Sequence, residues 1–256
     1  MKFRPCIDIH NGHVKQIVGG SLCDSDNEQK ENFVSEYDAA YYAEMYKKRG
    51  LSGGHVILLN DVKSPYYDAT KEQALLALEA YRGGLQVGGS INDRNALFYL
   101  SEGASHVIVT SFVFKDGKIN YDNLKRLCRK VGKDRLVLDL SCRKKDGKYY
   151  IVTDRWQKFT DVVLDEEVFY DLGRYCDEFL VHAVDSEGKV SGIDVQVAEI
   201  LGKLSGMKIT YAGGIKDFND VEKLGSLTDK KVDFTVGSAL DIFGGNMSFE
   251  KVCTYK

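Results

Sequence analysis

Short runs of Val, Ile, Leu and Phe recur along the chain, each followed by a longer stretch in which apolar residues return every three or four positions. Alternation between a strand period and a helix period is the pattern of repeated β-α units around a parallel sheet. The runs predict eight strands, over residues 4–9, 55–60, 85–88, 106–110, 136–140, 178–183, 208–212 and 233–236. The intervening stretches predict helices over 35–49, 71–81, 93–101, 121–130, 165–175, 194–204 and 217–224, with a short last helix from about 247. In the first of them Tyr37, Ala40, Tyr41 and Ala43 make an apolar stripe against a charged face that includes Glu44 and Lys47, and Gly50 ends it. Eight such units read as an α/β fold, a (β/α)8 TIM barrel.

At 256 residues the chain has the usual size of one such barrel, so a single domain over 1–256 is expected. Two prolines, Pro5 and Pro65, leave no Pro-rich linker at which to divide it. The polar stretch 21–32 follows the first strand and is a candidate lid over the mouth; a solvated loop without a role is the plainer reading. A net charge of -3 with 43% hydrophobic residues gives no reason to expect a nucleic-acid or membrane partner. Lacking a long apolar run or a leader pattern, the sequence reads as cytoplasmic, or plastid if a transit peptide has been removed. Six cysteines, at 6, 23, 128, 142, 176 and 253, show neither C-x-x-C pairing nor zinc spacing, so they read as free thiols and no metal is expected. Cys6 and Cys142 neighbour the chemistry described next, yet neither has a nearby histidine in sequence, and packing is their expected role.

The two halves of the chain resemble one another. Asp8 ends the first predicted strand and Asp139 the fifth; Gly88-Gly89 ends the third and Gly213-Gly214 the seventh; Thr110-Ser111 ends the fourth and Gly237-Ser238 the eighth. Each separation is about half the chain, as an internal duplication of a half-barrel would produce. Glycine turns at strand ends let backbone N–H groups approach an anion, aided by the helix N-termini beyond them. Gly88, Gly89 and Ser90 with Thr110 and Ser111 therefore form one candidate phosphate cradle, and Gly213 and Gly214 with Gly237 and Ser238 the other. Between them an aspartate in each of two apolar strands is costly unless used, a structural ion pair with Lys15 or Arg143 being the ordinary alternative. Two carboxylates without a metal cluster or a Ser-His or Cys-His couple suit proton shuffling on a sugar, with remote phosphates supplying the positioning.

Several segments carry a family resemblance: Arg4-Pro-Cys-Ile-Asp-Ile-His-Asn-Gly12 with Val14-Lys15, Gln86-Val-Gly-Gly89, Gly103-Ala-Ser-His-Val-Ile108, Asp139, Asp154-Arg-Trp156, Tyr211-Ala-Gly-Gly214 and Val236-Gly-Ser238. Together they resemble the ProFAR isomerases of histidine biosynthesis from end to end. The run 138–147 and the tail 236–245 look most like the eukaryotic-type branch. The resemblance implies an Amadori rearrangement of an N-linked aminoaldose ribotide, phosphorylated at both ends, to the aminoketose. It implies no cofactor and a monomer. It makes Asp8 the general base at the sugar carbon, Asp139 the general acid for ring opening, and Trp156, the sole tryptophan, an aromatic that stacks on the substrate's imidazole.

Two departures stand out. Ser90 replaces a third glycine present in many relatives, and His182-Ala183 stands where many bacterial members carry a threonine; His182 is kept as a secondary substrate-site residue. The cyclase subunit of imidazole glycerol phosphate synthase shares the duplication, cradles and aspartates, and is the rival reading. The segment 154–156 and the context of Gly213-Gly214 favour the isomerase. A non-catalytic phosphosugar-binding barrel would not need both aspartates, and acceptance of phosphoribosylanthranilate is left open by the sequence.

Overall fold

The computed structural model describes residues 1–17, 31–187 and 191–256. Eight parallel strands form its centre: β1 (Cys6–His10), β2 (Gly54–Leu58), β3 (Leu85–Gly88), β4 (Val107–Val109), β5 (Leu136–Asp139), β6 (Glu178–His182), β7 (Lys208–Ala212) and β8 (Asp233–Phe234). Each pairs in parallel with the next, and a parallel bridge between Phe3 and Phe234 joins the last strand to the first, closing the barrel.

Among the described residues eight helices alternate with the strands: α1 (Ala39–Lys48), α2 (Tyr67–Ala80), α3 (Ala96–Ser101), α4 (Tyr121–Val131), α5 (Glu166–Leu172), α6 (Val195–Gly202), α7 (Phe218–Leu227) and α8 (Phe249–Val252). Every predicted helix is found, with ends shifted by a few residues. Asp38 accepts from the Tyr41 N–H and starts α1 later than expected, while α2 begins earlier, after the turn that contains Pro65. Asp165, Asp194 and Asp217 cap α5, α6 and α7 in the same manner as Asp38.

Outward-facing strand residues such as Ile7, Val56, Val87 and Leu138 pack against the helices in one large core. Inward-facing residues alternate with them and stack in layers. Ile108, Val137, Leu180 and Ala212, with Ile57, make a small apolar layer inside the barrel. Glu178 and Thr210, two residues before Leu180 and Ala212, join Gln86 of β3 in a buried polar floor in which Gln86 Nε2 and Thr210 Oγ1 donate to the two Glu178 oxygens at 2.9 and 2.7 Å. Two residues after the apolar layer, at the C-terminal rim, come Thr110, Asp139 and His182.

Three additions were not foreseen. Antiparallel strands His13–Ile17 and Glu31–Val34 extend β1 outward. Residues 21–30 of the expected lid fall outside the described residues. A three-stranded antiparallel sheet, Cys142–Lys145, Lys148–Thr153 and Lys158–Val163, occupies what the sequence reads as a loop after β5. A two-stranded ribbon, Phe114–Lys115 with Lys118–Ile119, follows β4. No helix among the described residues is long and apolar enough to cross a membrane.

Candidate functional site

Two hollows open at the C-terminal end of the barrel. The larger encloses ≈ 470 Å³ and is lined by Asp8, Asp139, Trp156 and the turn Gly88-Gly89-Ser90, with Thr110 and Ser111 beside it. The smaller encloses ≈ 30 Å³ and is lined by Gly213, Gly214, Gly237 and Ser238. Asp8, His182 and Glu187 line both, so the two hollows share a wall. Every site residue expected from the sequence therefore lines one or other of these two adjoining hollows, with the two glycine turns on opposite sides of the shared wall.

Both cradles need glycine for close backbone approach as well as for shape. At Gly89 (φ +103°) a Cβ would stand 2.1 Å from the Leu58 carbonyl oxygen, and at Gly214 (φ +78°) 2.2 Å from that of Gly192. Ser90 holds the left-handed conformation with φ 55°, which explains why a third glycine suits this position. Its carbonyl accepts from the side-chain amides of Asn92 and Asn95 at 3.2 and 3.1 Å.

The two aspartates stand on opposite strands of the barrel but in different surroundings. Asp139 accepts from Thr110 Oγ1 at 3.0 Å and from Ser141 Oγ at 2.7 Å, one on each oxygen. The half-barrel counterpart of Thr110 beside Asp8 is Gly237, which has no hydroxyl to give. Burial and the nearby Glu187 charge push the Asp8 carboxyl up to about 7, with His182 opposing them. Burial likewise raises Glu187, again opposed by His182, whose Nε2 is 3.7 Å from Glu187 Oε2. His55 is buried beside His182, with ring centroids 6.4 Å apart, and is pushed down to about 3 by burial and by that neighbour.

Thr110 and Ser111 are more committed than the sequence implies. The Thr110 hydroxyl proton is committed to Asp139, while Ser111 Oγ accepts from the Asp154 N–H at 3.3 Å and keeps its own proton to donate. The possible ion pair of Arg143 with a site aspartate is not formed. Its guanidinium Nε instead meets Asp185 at 2.9 Å, because the strand Cys142–Lys145 carries the side chain away from the barrel axis. Cys6 and Cys142 are buried and their thiols pushed up, first by burial and then by neighbouring carboxylates, so both pack rather than react. Among the described residues no group of three or more His, Cys, Asp or Glu side chains could hold a metal ion.

The family described as "Histidine biosynthesis protein" matches residues 2–247. The chain belongs to this histidine biosynthesis family.

Its relatives share a name. A chloroplastic 1-(5-phosphoribosyl)-5-((5-phosphoribosylamino)methylideneamino) imidazole-4-carboxamide isomerase of Medicago truncatula is 55% identical over 259 residues, covering 100% of this chain and 81% of its own. Isomerases with that chemical name from Saccharomyces cerevisiae and Neurospora crassa are 45% and 44% identical, covering 99% and 95% of this chain and 97% and 93% of their own. Within this member of the histidine biosynthesis family, three side chains of the mouth escaped sequence reasoning. Glu187 follows a strand end at a distance that no periodicity marks. Ser141 reads as an ordinary polar residue beside Asp139. Gln16, buried against Gly237 in the second cradle, lies on a strand the hydrophobic pattern did not reveal. Only the two-residue spacing of Ser141 from Asp139, which returns its side chain to the same face, could have been read in advance.

Proposed function

We propose that this chain isomerises the aminoaldose ribotide in the name its relatives bear to the corresponding aminoketose, an Amadori rearrangement in histidine biosynthesis. The observation that carries this reading is the placement of Asp8 and Asp139 on opposite strands beside two adjoining hollows, with the two glycine turns on opposite sides of the shared wall. A substrate with a phosphate at each end spans such a pair of hollows and presents its sugar to the carboxyls between.

Asp8 is the general base. A carboxyl near 7 is close to the working pH, where a base combines availability with driving force for removing the proton from the sugar carbon next to the imine. Asp139, oriented by Thr110 and Ser141, faces it as the acid that protonates the ring oxygen and opens the sugar. Glu187 is a second candidate for that acid, since burial favours its protonated form and it lines the wall beside Asp8. Trp156 offers an aromatic face to the substrate's flat imidazole, its ring 5.6 Å from that of His182. The backbone amides of the glycine turns, with Ser90 and Ser238, hold the phosphates. The protein acts as one domain and as a monomer, and either the cytoplasm or the plastid suits the chemistry.

The test is turnover by the purified chain alone. Conversion of the aminoaldose without added ammonia is expected, and activity that appears only with ammonia would instead assign the cyclase reaction. Asp8→Asn should lower kcat on the order of 10²–10⁴-fold while phosphate-anchored binding survives. Comparing Asp139→Asn with Glu187→Gln identifies the acid, which is the residue whose loss costs a similar factor.

A further inference from the structure

We propose that Ser141 is a positioning residue that couples Trp156 to Asp139. The indole Nε1–H of Trp156 donates to Ser141 Oγ at 3.0 Å, and Ser141 Oγ lies 2.7 Å from Asp139 Oδ1. An indole nitrogen can only donate, and a serine hydroxyl has one proton to give. With the indole proton on one lone pair of Ser141, the hydroxyl proton is directed to Asp139 Oδ1. Ser141 itself is fully buried, while Asp139 and Trp156 at the two ends of the chain of bonds are partly exposed to the mouth.

The indole end of this chain is set in a backbone that side chains disfavour. Asp154, Arg155 and Trp156 all have left-handed conformations, with φ of 51°, 56° and 67°. The turn is tethered by the Asp154 N–H bond to Ser111 and by the indole bond to Ser141. Loss of the Ser141 hydroxyl therefore removes a tether from the turn and a donor from Asp139 together. Resting on the isomerase reading above, this coupling means that seating the substrate's heterocycle against Trp156 orients Asp139 for the sugar end of the same molecule.

The experiment compares Ser141→Ala, Trp156→Phe and the double variant in the full chain, with the aminoaldose as substrate. Phenylalanine keeps a ring for stacking and removes the N–H. Ser141→Ala should lower kcat about tenfold or more with a much smaller change in KM, and Trp156→Phe should lower it in the same direction. The double variant should cost no more than Ser141→Ala alone, because the chain is already broken. Ser141→Thr, which keeps the hydroxyl, should recover kcat. Trp156 is the sole tryptophan, so protein emission reports the indole end: Asp139→Asn should shift it when Ser141 is present and leave it unchanged in Ser141→Ala.

Unaltered kcat in the single variants, additive costs in the double, or an emission response that survives Ser141→Ala would each overturn the coupling. Should Ser141→Ala fail to fold, Trp156→Phe decides alone, since unchanged kcat there is incompatible with the chain. A wild-type protein that turns over no aminoaldose sinks the isomerase reading itself; wild-type turnover with indifferent variants sinks only the coupling.

Discussion

Asp8, in the middle of β1, and Glu187, beyond the end of β6, share the wall between the two hollows, and the charge of Glu187 is second only to burial in lifting Asp8 to about 7. A base must be ionised to act, so kcat/KM should rise with pH along a limb centred near 7. Replacing Glu187 by Gln removes the carboxyl whose ionisation opposes that of Asp8, which makes Asp8 easier to ionise and moves the limb to lower pH. A pH–rate profile of the two proteins reads this directly. A limb that stays in place in Glu187→Gln would show that the two carboxyls do not interact.

The same shift bears on stability, with a sign opposite to that of most aspartates. Asp8 rises from 3.8 to about 7 on folding, so the folded protein binds this proton more tightly than the unfolded chain does. Its contribution is fully present below about 3.8 and is lost as pH climbs through about 7. Asp8→Asn carries no such charge. The variant should melt at a higher temperature than the wild type at pH 8 while losing turnover, and a lower melting temperature there would refute the argument.

On the barrel floor, Glu178 accepts from both Gln86 and Thr210. Glu178→Ala leaves two buried donors without an acceptor and should cost about 2–5 kcal/mol in denaturant unfolding. Glu178→Gln keeps an acceptor oxygen and should cost less. Equal, small losses in the two variants would mean that the floor network contributes little.

Ser90 holds a left-handed backbone at the first cradle. Ser90→Gly should relieve about 1 kcal/mol of that strain and raise the melting temperature by roughly 2–4 °C. If the hydroxyl contributes to phosphate binding, KM rises at the same time. Calorimetry and steady-state kinetics on one preparation separate the two effects.

The alternation of buried runs with helical stretches is enough to place eight strands and eight helices, because strand and helix periods are local properties of the chain. Half-chain spacing brings Asp8, Asp139 and the two glycine turns to the same rim for the same reason: a strand end is a local feature, and a barrel puts all strand ends together. The hairpin Cys142–Lys145 with Lys148–Thr153 is less legible, since its strands mix charged and apolar residues without a clean period. It is also what carries Trp156 back over Asp139.

What the sequence determined by itself is thus the barrel, its duplication and the identity of two opposed carboxylates. Only the tertiary structure decided how those carboxylates differ. Thr110 and Ser141 come to Asp139 from one side of the barrel, whereas Glu187 and His182 come to Asp8 from another strand's end. Chain spacing fixes where a side chain leaves the backbone; the charge and hydrogen bonds around it come from residues far along the chain, which meet only once the barrel has closed.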